Sequence, residues 1–165
     1  MYLHTHITNL VRAAQSASRI GLHKLTRYMK IETVIKFEKA LVASLNLDGW
    51  RLVHTGETML PYDAQGITPK GLKCVIEMKF RDKYYETKIL EVGKYNNLMK
   101  MDSDIQKFYF VNDPKGNYMF WLNDLKDLKK EELYCPKTTM WNTNKQNKSV
   151  YLLQEKQAII TNIYE

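Results

Sequence analysis

Leu72-Lys73-Cys74-Val75-Ile76-Glu77-Met78-Lys79-Phe80-Arg81 alternates through its whole length. Side chains along a strand point to opposite faces with a period of two. Leu72, Cys74, Ile76, Met78 and Phe80 therefore share one face, and Lys73, Val75, Glu77, Lys79 and Arg81 share the other. The first set predicts a core face. The second sets one carboxylate among cations, an arrangement suited to chemistry on a phosphate. A carboxylate can hold a divalent metal, and a nearby ammonium can orient water or offset developing negative charge.

Working outward, a short segment precedes this strand. Met59 to Ala64 reads as a brief strand containing Pro61-Tyr62-Asp63, with a hairpin tip at Pro69 and Gly71. Trp50 to Thr55 reads as another strand. A helix is predicted from about Tyr28 to Leu47, stopped by Asp48-Gly49. On its wheel Ile31, Val34, Leu41, Val42 and Leu45 fall on one arc, and Glu38 lies inside that arc. An acid on a buried helix face is costly unless it is paired or binds a metal. If the helix covers the face bearing Glu77, then Glu38, Asp63, Glu77 and Lys79 meet.

Downstream, residues 87–101 read as a helix with Thr87 as its cap. Ile105 to Val111 and Tyr118 to Leu122 read as aromatic-rich strands joined by a hairpin. A short charged helix is expected over 124–132, a loop over 133–147 and a last strand over 149–153. Helices alternating with strands predict an α/β fold, or an α+β one, with helices packed on a sheet. At 165 residues, one folding domain over 28–165 is expected, preceded by a basic arm or helix over 1–27.

The net charge is +7 and unevenly spread. Residues 1–31 hold Arg12, Arg19, Lys24, Arg27 and Lys30 and no acid, whereas 101–133 are net acidic. A basic bias favours a polyanionic partner, nucleic acid above all. Arg12, Arg19, Lys24 and Arg27, with Lys73, Arg81 and Lys94, are the candidate nucleic-acid-binding residues. Lys137, Trp141, Lys145 and Lys148 are placed in a polar loop that could track a backbone. His4, His6 and His23 read as part of an exposed terminus, and His54 as a core or sheet-edge residue. Cys74 and Cys135 have no ligand-like spacing, and Cys74 is expected to pack as a small hydrophobe. No membrane-length apolar run and no secretory h-region are read, so a cytoplasmic setting is expected. There is no Gly-rich phosphate loop, nucleophile elbow or zinc spacing.

The candidate catalytic set is Asp63, Glu77, Lys79 and Glu38. Carboxylates without a histidine or thiolate cluster favour a hard cation, Mg²⁺ or Mn²⁺. The order Glu38 on a helix, Asp63 in Pro61-Tyr62-Asp63, and Glu77-Met78-Lys79 on the next strand resembles the PD-(D/E)xK nuclease superfamily, over about residues 28–122. The polar stretch Arg81, Tyr85 and Lys94-Tyr95 is similar to that of small phage-type members. The 13 residues between Asp63 and Glu77 suit a hairpin between the two motif strands. One departure is Tyr62, which separates the proline from the aspartate.

The resemblance implies a restriction-endonuclease-like core, a central mixed β-sheet flanked by helices. It implies a Mg²⁺-dependent deoxyribonuclease, endo- or exonucleolytic, with a junction or flap among its substrates and DNA as partner. Asp63, Glu77 and Glu38 would be its metal ligands. Cutting both strands of a duplex would favour a homodimer. Two alternatives stand beside this: a non-catalytic nucleic-acid-binding or interaction protein on the same fold, and an enzyme acting on RNA.

Overall fold

The computed structural model describes residues 31–138 and 142–164. The basic segment 1–27, with Arg12, Arg19, Lys24 and Arg27, lies outside the described residues. The first described element, α1 (Ile31–Leu47), buries Glu38, Leu41, Val42, Ser44 and Leu45. Leu41, Val42 and Leu45 of the predicted arc are buried with Glu38 among them, while Ile31 and Val34 are half-buried. The helix stops where Gly49 adopts a φ of +88°, open to a residue without a Cβ. Asn46 then ties the helix end to the next strand. Its side chain donates to Leu52 O (3.0 Å) and accepts from Leu52 N (2.7 Å).

Six strands build the main sheet: β1 (Arg51–His54), β2 (Ala64–Ile67), β3 (Lys73–Phe80), β5 (Gln106–Asp113), β6 (Gly116–Trp121) and β9 (Ile160–Ile163). Their order is β1-β2-β3-β5-β6-β9. β3 and β5 are parallel, with Glu77 opposite Tyr109, and every other pairing is antiparallel. The sheet is therefore mixed, as expected. The hairpin tip at 68–71 is also as expected, with Gly71 N donating to Thr68 O at 2.9 Å.

Between β3 and β5 the chain forms β4 (Thr87–Glu91) and α2 (Val92–Met99). A helix starting at Thr87 was expected; the helix starts only after a strand. In β4 Lys88 and Leu90 are buried alternately, a period of two that a helix does not produce. β4 belongs to a second sheet of order β4-β8-β7, with β7 (Lys129–Thr138) and β8 (Asn142–Gln154). The expected charged helix over 124–132 is replaced by one 3₁₀ turn at Leu122–Asp124 and the start of β7. Asp127 has a φ of 55°, which is incompatible with a continuing right-handed helix. The expected loop over 133–147 is instead occupied mostly by β7 and β8.

Two cores result, one on each face of the main sheet. On the first, α1 sets Leu41, Val42 and Leu45 against Cys74, Ile76, Met78, Phe108 and Phe110. On the second, Val75, Tyr109, Val111, Tyr118 and Phe120 meet Leu90 of β4, Leu98 of α2 and Leu153 of β8. A strand buried on both faces reads as a continuous apolar run rather than an alternation, and Phe108-Tyr109-Phe110-Val111 of β5 does so. Leu72, assigned to the core face, is 47% exposed, because it lies in the hairpin before β3 begins.

A buried lysine clamps the two sheets together. Lys88 Nζ, on β4, lies 2.6 Å from Asp113 Oδ2 at the end of β5 and 2.8 Å from Glu155 Oε1. It also donates to Tyr85 O at 2.7 Å and sits 4.0 Å from the centre of the Tyr118 ring. Lys88 and Asp113 are each 1% exposed, so each charge depends on the other. Since β4 leads directly into α2, the clamp also fixes where α2 starts.

Candidate active site

The helix α1 lies on the Ile76–Met78 face, opposite Glu77. The expectation that it covers the face bearing Glu77 is corrected by the first core. That core takes Cys74, Ile76 and Met78, the more apolar side of β3, and leaves Glu77 to the second sheet. Glu38 and Glu77 therefore come from opposite layers, and Asp63 stands between them.

Asp63 immediately precedes β2, rather than ending a strand, and is pinned by its backbone. Its N–H donates to Ile76 O at 2.9 Å, and its carbonyl accepts from Thr55 N at 2.7 Å. Its Oδ2 accepts from Met78 N at 2.7 Å. The carboxylate is thus held at the residue separating Glu77 from Lys79. The pleat brings Glu77 and Lys79 to one face of β3, as the alternation predicts.

Glu77 is 2% exposed. Burial pushes its carboxyl up to about 7; the charge of Asp63 adds to this, and Lys94 and Lys79 oppose it. Lys94, on α2, ion-pairs with Glu77. Burial alone would lower the Lys94 ammonium, but Glu77, Asp63 and Glu91 together outweigh it and raise it. Lys79 is pushed down to about 8, first by burial and then by Arg81 and Lys94. Its pKa stands close enough to neutrality for proton exchange.

Glu38 is 5% exposed and pairs with His54 of β1, its Oε2 lying 2.7 Å from His54 Nε2. Burial raises its pKa, the His54 hydrogen bond opposes that, and the Asp63 charge raises it further. Gly56 makes room for this pair. A Cβ there would lie 2.4 Å from Glu38 Oε2 and 2.8 Å from His54 Nε2. Sequence reading placed His54 at the core or sheet edge. Nothing in the alternation of β1 marks it as the partner of a helix acid 16 residues earlier.

A cavity opens between the two sheets on the Glu77 face. Glu77, Lys79, Arg81, Glu91, Lys94 and Lys148 contribute to its wall. Lys148 Nζ lies 2.8 Å from Glu91 Oε1. Of the candidate nucleic-acid-binding residues, Arg81 and Lys94 line the cavity, while Lys73 is exposed on the hairpin side of β3. Glu91 and Lys148 were missed as neighbours of Glu77. They reach it only through the second sheet, whose pairing leaves no local signal near either residue.

The donors suit a hard cation in part. Asp63 lies near enough for its charge to act on Glu77, although it does not line the cavity, and Glu77 is ion-paired with Lys94. Among the described residues no group of three or more His, Cys, Asp or Glu could hold a metal ion. Two carboxylates match only the sparse protein shell of Mg²⁺, which is commonly held by one or two carboxylates with water and substrate phosphate oxygens.

No protein-family model and no curated protein matches the chain. Among solved structures, the chain is similar to Hjc, a Holliday junction resolvase from the archaeal hyperthermophile Archaeoglobus fulgidus. The TM-score is 0.51 at 13% identity, covering 76% of this chain and 87% of that chain. The two share a fold: the restriction-endonuclease-like core, a mixed sheet flanked by helices. Here one flank also carries the sheet β4-β8-β7.

Proposed function

We propose that this protein is a divalent-metal-dependent deoxyribonuclease that hydrolyses phosphodiester bonds and selects branched DNA such as a junction or flap. The observation that carries the reading is the hydrogen bond from Met78 N to Asp63 Oδ2. It sets one carboxylate against the interior strand that bears Glu77 and Lys79. The fold shared with a junction resolvase supports DNA as the substrate and a branch as its form.

In this reading Asp63 and Glu77 would hold Mg²⁺, for which Mn²⁺ would substitute, and Glu38, bonded to His54, would complete the set directly or through water. The bound ion supplies an activated water and neutralises charge on a phosphodiester oxygen. Lys79 orients that water and exchanges its proton, which its lowered pKa permits at neutral pH. Lys94, whose side chain is 47% exposed, swings from Glu77 towards the phosphate. Arg81 and Lys148 bind neighbouring backbone oxygens as cations. Cleavage of both strands of a duplex calls for a homodimer.

One observation favours a second reading, a non-catalytic DNA-binding protein on this fold. The Lys94 ammonium already neutralises Glu77, so the site is satisfied without a metal. Incubation of the protein with four-way junction, flap, duplex and single-stranded DNA and with RNA, with and without Mg²⁺, separates the readings. The nuclease cuts branched DNA only with Mg²⁺. Binding without cleavage under every condition supports the second reading, and cleavage of RNA alone contradicts both.

A further inference from the structure

The strand β8 has two neighbours over only part of its length. Residues 150–154 pair with β4 on one side, ending at Glu91 opposite Val150, and 149–152 pair with β7 on the other. From Ser149 outward, β8 pairs among the described residues with β7 alone, through Leu133–Lys148, Tyr134–Asn147 and Cys135–Gln146. The distal parts of β7 and β8 therefore form a two-stranded ribbon that leaves the sheet.

Three observations bear on what this ribbon meets. Its root belongs to the wall of the Glu77 cavity, through Cys135, Lys148 and Val150. Its charge is one-signed beyond the sheet: Lys129, Lys130, Glu131 and Glu132 balance one another within it, whereas residues 133–148 hold Lys137, Lys145 and Lys148 and no acid. Its outer side is open, with Tyr134 67% exposed and Lys145 Nζ 5.8 Å from the centre of the Tyr134 ring.

We infer that the β7–β8 ribbon is a second DNA-binding element. It lies along the duplex next to the phosphate held at Glu77, with Lys145 on a backbone phosphate and Tyr134, on the same face of the ribbon, against the sugar-phosphate edge. A two-stranded β-ribbon fits the major groove of duplex DNA, and an acid-free lysine surface complements the backbone charge. The ribbon starts at the cavity wall, so DNA seated in the site meets it. The inference rests on DNA being the substrate of that site, but it does not require the site to cut.

The test is binding rather than cleavage. Fluorescently labelled duplex and four-way-junction DNA are titrated with the full chain in EDTA across a range of salt. Wild type is compared with Lys145→Gln, Tyr134→Ala and the double variant Lys145→Gln/Tyr134→Ala. Circular dichroism shows that each variant keeps the wild-type fold. The slope of log K against log salt should fall by about 0.9 for each lysine–phosphate contact removed. Tyr134→Ala should weaken binding without changing the slope. Affinity and slope equal to wild type in all three folded variants would overturn the inference. So would a change of oligomeric state with DNA binding unaltered, which would make the ribbon an interface between copies. If wild type binds DNA through the ribbon but never cuts with Mg²⁺, the ribbon inference stands and the nuclease reading fails.

Discussion

A buried carboxylate beside a second carboxylate and two lysines is held in check by opposing effects. At Glu77 desolvation wins, and its pKa rises to about 7 from an ordinary 4.5. The native state therefore binds its proton more tightly than the unfolded chain does. This contributes stability that is fully present below about pH 4.5 and is lost as pH rises through about 7. Over that window the loss is on the order of 3 kcal/mol. In metal-free buffer, Glu77→Gln should flatten the fall in unfolding free energy between pH 4.5 and 7, read by urea titrations at several pH values. Lys79 has the opposite sign. Its pKa is lowered to about 8, so its contribution is present above about 10.5 and is lost as pH falls through 8. If Lys79 handles the proton of the attacking water, Lys79→Ala should slow cleavage by about 10² to 10⁴-fold. It should also remove the limb of the pH–rate profile near 8, while Mg²⁺ binding survives. At this scale the sequence was informative because each clue was local. The i, i+2 spacing of Glu77 and Lys79 fixes a shared face, and Glu38 on an apolar arc marks a buried acid. The partners His54, Lys94, Glu91 and Lys148 were not legible, because each arrives from another element.

Among the elements, β3 and β5 show why apolar patterning fixes strands but not layers. Alternation in 72–81 gives the strand and its two faces. It does not say which face a helix will take, and α1 takes the one with Cys74, Ile76 and Met78. In the run 87–91 the two buried positions are Lys88 and Leu90, and a fully buried cation leaves no apolar alternation to mark a strand. The partner of that cation, Asp113, lies 25 residues away, beyond any local pattern. Lys88→Ala leaves Asp113 buried and unpaired, and should cost about 3–5 kcal/mol of stability by urea unfolding. Lys88→Met combined with Asp113→Asn should recover most of that loss, since replacing both charges removes the unpaired one. A Lys88→Ala loss under 1 kcal/mol would mean that the clamp does not hold β4 in place. The β7–β8 ribbon was read as a loop for a related reason. Its polar residues, Gln146 and Asn147 among them, are strand residues exposed at the ribbon, and exposure on both faces erases the period of two.

In the whole molecule, a mixed sheet is covered by a helix on one face and by a small sheet and helix on the other. Glu38 lies on the helix side of the sheet, Glu77 on the side of the second sheet, and Asp63 is bonded to β3 between them. None of the helices among the described residues is long and apolar enough to cross a membrane. If Asp63 and Glu77 are its ligands, Mg²⁺ would bind the native state in preference to the unfolded chain, and it should raise the melting temperature logarithmically with concentration above its Kd. Differential scanning calorimetry should show that rise in wild type and its absence in Asp63→Ala.

The central claim is that Asp63 and Glu77 together make a metal-dependent phosphodiesterase. The most direct measurement is single-turnover cleavage of a four-way DNA junction in Mg²⁺ by wild type, Asp63→Asn and Glu77→Gln. These substitutions keep side-chain size while removing the charge that holds the ion. The account predicts cleavage by wild type, none by either variant, and junction binding retained in all three. Cleavage by either variant at the wild-type rate would contradict it.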